Sequence, residues 1–245
     1  MGIRRLFISD LHLGTREAKL DLLLNFLRHH RADEVYFVGD IVDVRHLLKS
    51  KGSVEGAHEP MQRLLGACGG AQLIYVFGNH DSNEGHLRSL IGNAASIVTS
   101  AEIRAVTGER LVIVHGHQVD GQIRTNIAEW KVDITCFFYY WLLWLDGHWN
   151  DLRQRMGLPF RSISLALKTR FRSWQRYADR FEKAMCQFAR SAGYDGVICG
   201  HIHLPRNEKE DRTSYRNCGD WVEHCSVLAE RYDGSFELIY WKKII

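Results

Sequence analysis

Leu73-Ile74-Tyr75-Val76-Phe77-Gly78-Asn79-His80-Asp81 is an apolar run closed by a glycine and three chemistry-bearing side chains. The run reads as a strand, and Gly78-Asn79 ends it. Two earlier stretches have the same form. Leu6-Phe7-Ile8 leads into Ser9-Asp10-Leu11-His12, and Glu34-Val35-Tyr36-Phe37-Val38 leads into Gly39-Asp40. Between the three lie helix-like stretches. Ala18 to His30 places Leu20, Leu23, Leu24 and Leu27 on one face, and Pro60 to Ala67 has a similar character. A β-α-β-α-β order of this kind predicts parallel pairing.

Further along, Glu102 to Val106 and Arg110 to Val114 flank Thr107-Gly108-Glu109 and read as a hairpin ending at His115-Gly116-His117. Gly196 to Cys199 runs into Gly200-His201, and three more strand-like runs follow: Tyr215 to Cys218, Ser226 to Glu230 and Phe236 to Trp241. The expected architecture is α/β, two facing sheets with helices outside, a four-layer α/β/β/α sandwich. The middle of the chain breaks the pattern, being aromatic, then basic, with helical spacing and no strand punctuation. Residues 1–117 and 193–245 are therefore expected to form the scaffold, and 118–192 a helical cap insertion.

The 245 residues are 45% apolar, enough for a substantial core, and no low-complexity tract or repeat is visible. Net charge is only +3, but Asp151 to Arg190 alone carries +7, a distribution suited to an anionic partner or to a solvated helix face. The six cysteines are scattered without a C-x-x-C pair, which points to reduced thiols in the cytoplasm. The start of the chain lacks a signal-peptide apolar stretch. The longest strongly apolar run, Cys136 to Leu145, is half the roughly 20 residues a spanning helix needs.

Each scaffold strand named so far that precedes a motif ends in metal-binding residue types: Asp10-x-His12, Gly39-Asp40-x-x-Asp43, Gly78-Asn79-His80-Asp81, His115-Gly116-His117 and Gly200-His201-x-His203. Sites in α/β sheets gather at the carboxyl ends of strands. A single histidine is more often structural, but a core histidine has no reason to follow a strand end repeatedly. Carboxylate, imidazole and amide carbonyl suit Mn, Fe, Zn or Mg rather than a thiolate-bound ion. Two such cations sharing a carboxylate activate water and clamp attacking and departing oxygens, which phosphate-ester hydrolysis requires.

These motifs, from Asp10 to His203, resemble the calcineurin-like metallophosphoesterase family. The resemblance implies that Asp10, His12, Asp40 and His203 hold one cation. It implies that Asp40, Asn79, His115 and His201 hold the other, with Asp40 bridging. It makes His80 the catalytic histidine that protonates the leaving oxygen, and Asp81 the residue that orients it by hydrogen bonding. The cofactor expected is a pair of divalent ions, Mn first, with Fe, Zn or Mg accepted by the same ligands. Asp43 reads as a turn or supporting group, and His117 as the lesser choice beside His115.

Tyr215-Arg-Asn-Cys-Gly-Asp-Trp-Val-Glu-His-Cys, followed by Tyr232-Asp-Gly, resembles one branch more closely, the bacterial UDP-2,3-diacylglucosamine hydrolases. That branch cleaves the pyrophosphate of a UDP-linked diacyl sugar at the inner face of the cytoplasmic membrane, in lipid A synthesis. Its best-known members carry Arg where this chain has His80, so the chain resembles a sister group of that branch. An acylated substrate needs an apolar slot, and Trp130 to Trp149 holds eight aromatics. These can contact lipid or membrane, pack the cap on the scaffold, or form an oligomer interface. Asp120, Lys168, Arg170 and Arg172 are the expected substrate contacts. Two other readings stand beside this one. The first is a metallophosphoesterase for a soluble ester, cyclic nucleotide or nucleic acid, nucleic acid being the lesser expectation. The second is a scaffold without activity, disfavoured because no ligand position is missing.

Overall fold

The computed structural model describes residues 2–124 and 172–241. Lys168, Arg170 and the aromatic run Trp130 to Trp149 lie outside the described residues. So does the side chain of Arg172.

The first sheet is built from β1 (Ile3–Ile8), β2 (Glu34–Val38), β3 (Gln72–Val76), β4 (Ser96–Val98), β10 (Ser226–Arg231) and β11 (Phe236–Tyr240), in the order β11-β10-β1-β2-β3-β4. The pairings among β1, β2, β3 and β4 are parallel, and β10 is antiparallel to both β1 and β11. The second sheet contains β5 (Ala101–Arg104), β6 (Arg110–Ile113), β7 (Gly196–Cys199), β8 (Arg206–Glu210) and β9 (Thr213–Asn217), in the order β5-β6-β7-β9-β8. The expected hairpin is the antiparallel pair β5 and β6, while β6, β7 and β9 pair in parallel. Helices α1 (Leu20–His29), α2 (Val44–Lys51), α3 (His58–Ala67) and α4 (Glu84–Ile91) lie in the connections of the first sheet. Helix α5 (His117–Arg124) follows β6, and α6 (Arg172–Ser191) precedes β7.

The layers follow from side-chain alternation. Leu6, Ile8, Val35, Phe37, Leu73 and Tyr75 join Leu23, Phe26, Leu64 and Leu87 in the core beneath the helices. Their neighbours Phe7, Tyr36, Val38, Ile74 and Val76 turn the other way and meet Ile103, Leu111, Ile113 and Ile198 of the second sheet. A strand apolar on both faces belongs between two layers, which is why β1, β2 and β3 read as uninterrupted apolar runs. Each fully buried side chain of this size contributes about 1.5–3 kcal/mol. The four-layer arrangement of two sheets flanked by helices is the one expected.

Two strands and two α-helices were not anticipated. Strand β4 has three residues and no readable period. Strand β8, Arg-Asn-Glu-Lys-Glu, is a charged sheet edge whose polarity hides its extended backbone. Helices α2 and α4 each have eight residues and are announced mainly by their caps, in which Asp43 accepts from His46 N and Asn83 from His86 N.

Residues Met1–His117 and Met185–Lys243 form one compact unit, and a second unit spans Gln118–Ala184. Among the described residues no helix is long and apolar enough to cross a membrane.

Candidate functional site

The loops after β1, β2, β3, β6 and β7 meet at one end of the two sheets. The β1 and β2 loops run side by side: Asp10 N donates to Gly39 O (3.1 Å), His12 N to Asp40 O (2.9 Å) and Leu13 N to Ile41 O (2.8 Å). Gly200 N donates to His115 O at 3.0 Å, joining the β6 and β7 ends. Asp10, His12, Asp40, His201 and His203 all hold left-handed backbone, with φ of 54°, 54°, 53°, 71° and 50°. For a residue with a Cβ this costs about 1–2 kcal/mol. Such strain persists where the surroundings over-determine it, and it concentrates at functional sites. Glycine is required beside two of these residues. A Cβ on Gly78 would fall on Asp40 Oδ1, and one on Gly200 would fall on Ser9 Oγ and Asp10 Oδ2.

The side chains converge accordingly. Asp10 Oδ1 lies 3.2 Å from His203 Nε2 and 3.8 Å from His12 Nε2, and the two imidazole nitrogens are 3.4 Å apart. Asp40 Oδ2 lies 3.1 Å from His115 Nε2 and 4.0 Å from His80 Nε2. Within each of the sets Asp10–His12–His203, His12–Asp40–His80 and Asp40–His115–His201, the donor atoms all fall within 4.8 Å of one another. Asp40 belongs to two of the sets, as does His12. Of the seven residues expected to bind cations, Asn79 is the one outside these sets, and its Oδ1 is buried without a hydrogen bond.

This arrangement fits divalent cations. Asp10 Oδ1, Asn79 Oδ1 and His115 Nε2 are buried acceptors that no hydrogen bond satisfies, and a buried polar atom without a partner calls for one. His115 is fully buried with Nδ1 2.8 Å from Val38 O. A donating Nδ1–H directs the Nε2 lone pair toward Asp40, as metal-binding histidines require. The charges are correspondingly biased. Burial opposes ionisation of Asp10, yet His203, His115 and His12 hold it well below the usual carboxylate range. Burial likewise opposes charge on His115, but Asp40 and Asp10 push it up to about 9. A cation would replace the protons that this carboxylate-rich site draws in.

The structure corrects one assignment. Asp81 does not orient His80. Its Oδ1 accepts from Gly78 N (2.6 Å), and its Oδ2 accepts from Ile41 N (3.0 Å) and Tyr75 Oη (2.6 Å). It is a fully buried brace between the β2 and β3 loops. Burial and the Asp40 charge raise it to about 6. The carboxylate facing His80 is Asp43, whose Oδ2 lies 3.0 Å from His80 Nδ1 and 3.4 Å from His12 Nδ1. Burial would raise Asp43, but its bonds to His12 and His80 hold it far below the usual range. Asp81 follows His80 directly but points away from it, so the role that the family resemblance implied for Asp81 falls to Asp43.

His117 opens α5 with its ring centroid 5.6 Å from His115 and 6.4 Å from His201. Burial and those two imidazoles lower it to about 4. Asp120, expected at the substrate, is buried and accepts a 2.6 Å bond from Tyr177 Oη.

Residues 3–205 match the family model described as calcineurin-like phosphoesterase. A cAMP/cGMP dual specificity phosphodiesterase of Mycobacterium tuberculosis is 29% identical over 144 residues, covering 52% of this chain and 43% of that protein. The chain thus matches less than half the length of that curated relative. Among solved structures, a novel archaeal phosphodiesterase is 14% identical with a TM-score of 0.49, covering 96% of this chain and 98% of its own. The phosphoesterase Yfce of E. coli is 16% identical with a TM-score of 0.48, covering 97% and 99%.

Proposed function

Since the chain belongs to the calcineurin-like phosphoesterase family, we propose that it hydrolyses phosphoric ester or anhydride bonds with a pair of divalent cations, manganese first among them. The observation that carries this reading is the position of Asp40, whose carboxylate groups with His12 and His80 in one set and with His115 and His201 in another, His12 in turn grouping with Asp10 and His203. Asp10, His12, Asp40 and His203 would hold one cation, and Asp40, Asn79, His115 and His201 the other. When bound, such a pair supplies Lewis acidity at the phosphoryl oxygens and lowers the pKa of water.

The remaining chemistry belongs to the side chains. Asp43 Oδ2 faces His80 Nδ1 at 3.0 Å and would take its N–H, holding the ring in orientation. With both ring nitrogens protonated, His80 Nε2–H faces the substrate and delivers its proton to the departing oxygen, leaving the neutral ring with its remaining proton on Nδ1. The His80 backbone N–H donates to Asp40 Oδ1 at 2.8 Å, so the acid and the shared ligand are positioned by one loop.

A substrate with phosphorus between two organic groups suits this arrangement. The finer reading is cleavage of UDP-2,3-diacylglucosamine to UMP and a lipid monosaccharide phosphate, at the inner face of the cytoplasmic membrane. Its support is the Tyr215–Cys225 segment and the aromatic-then-basic residues 118–192, which we take as the substrate-binding insertion. The similarity to a cAMP/cGMP phosphodiesterase supports a cyclic diester instead. The deciding experiment supplies the purified chain with Mn2+ and each substrate in turn, with and without chelator. Turnover of the UDP-linked lipid alone supports the finer reading, turnover of cyclic nucleotide alone replaces it, and turnover of neither nor of any simple phosphodiester contradicts the proposal.

A further inference from the structure

The segment from Asn217 to Cys225 contributes no expected ligand, yet it ties two ligand loops together. Asn217 ends β9 and is fully buried. Its Nδ2 donates to Gly200 O at 2.7 Å, and its Oδ1 accepts from Gly219 N at 3.0 Å. Two residues beyond Gly219, Trp221 N donates to Asp10 O at 3.0 Å. Asp10 Oδ2 in turn accepts from His201 N at 2.9 Å, and His201 follows Gly200. The circuit is closed: Asn217, Gly200-His201, Asp10, Trp221 back through Gly219, and Asn217 again.

The return arm of the circuit is stiff. Asp220 Oδ1 accepts from Val222 N (2.8 Å), His224 N (3.2 Å) and Glu223 N, while its Oδ2 faces His224 Nδ1 at 2.5 Å. Gly219 itself lies against Pro205, just beyond His203: a Cβ there would come within 2.9 Å of the Pro205 Cβ.

We infer that Asn217 is a positioning residue for the cation site of Asp10 and His203, fixing the β1 loop against the β7 loop before any cation arrives. The inference rests on the proposed reading that these two residues share a cation. The chemistry calls for a carboxamide, because one end must donate to a carbonyl while the other accepts from an amide. An aspartate would face the Gly200 carbonyl with an acceptor, and alanine would leave buried groups at both ends unpaired. Supporting residues of this kind typically change metal affinity by 10–100-fold.

The test is calorimetric titration of the metal-free full chain with Mn2+, for the wild type, Asn217→Ala and Asn217→Ser, alongside melts of the metal-free forms. The expected result is two cations in the wild type. In the variants one of the two should weaken by about 10–100-fold while the other binds as before. A folded variant that binds both cations with wild-type affinity overturns the inference. A wild type that binds no cation overturns instead the reading on which it rests. Amide exchange in the metal-free wild type needs no variant: slow exchange of His201 and Trp221 N–H is expected, and fast exchange of either contradicts a clamp formed in advance.

Discussion

The Asp43 carboxylate caps α2 through His46 N and also faces Nδ1 of both His80 and His12. Its role separates two mutational outcomes. His80→Ala should keep its cations and lose kcat by roughly 10²–10⁴-fold, the range for a missing general acid. Asp43→Asn should lose about 10–100-fold, because His80 is present but its ring is no longer held in orientation. Steady-state kinetics with metal analysis checks both, and cation loss in His80→Ala would make His80 a ligand. The His115–Asp40 pair gives a pH prediction. His115 stands at about 9 in the folded chain against about 6.5 when unfolded. A raised folded pKa stabilises fully below the unfolded value, and that contribution is lost as pH climbs through the folded one. The metal-free protein should therefore lose Tm from this pair between about pH 6.5 and 9, with His12, also raised, acting in the same direction. Bound cations should suppress the loss, and a Tm rising across that interval would contradict the assignment. The expected ligands were legible because aspartate, histidine and asparagine recur after apolar runs. The role of Asn217 was not, since its partner Gly200 lies in the loop after β7, distant in sequence.

Strands β1, β2, β3, β6 and β7 were legible because both of their faces are buried, so sequence and packing agree. The elements missed were those whose residues answer to something else: solvent for β8, capping for α2 and α4, brevity for β4. The strand-end glycines show how an element delivers its last side chain. Gly78→Ala should destabilise the metal-free chain by about 1–3 kcal/mol, as overpacking does, and weaken cation binding, because the new methyl meets Asp40 Oδ1. Gly52 ends α2 with φ of +70° and open space around it. Gly52→Ala should cost about 1–2 kcal/mol of backbone strain and leave binding intact. Urea unfolding and metal titration of the two variants make the comparison, and equal effects on binding would refute the packing argument.

At the scale of the molecule, two sheets packed face to face place five loops at one end. No single motif makes a site, but the sandwich puts Asp10, Asp40 and His201 within reach of one another. The four-layer architecture could be read from element order, whereas the site's internal bonding needed the three-dimensional arrangement. If the +7 segment from Asp151 to Arg190 meets an anionic membrane, the chain should co-sediment with anionic vesicles at physiological salt and not retain single-stranded DNA. Salt-sensitive DNA retention without vesicle binding would replace a lipid partner with a nucleic acid. The most direct test of the whole account is the metal content of Asp40→Ala beside the wild type, measured by mass spectrometry after loading with Mn2+. Two ions per wild-type chain and a large loss of both in the variant are predicted, whereas two ions retained in Asp40→Ala would contradict the shared-carboxylate centre.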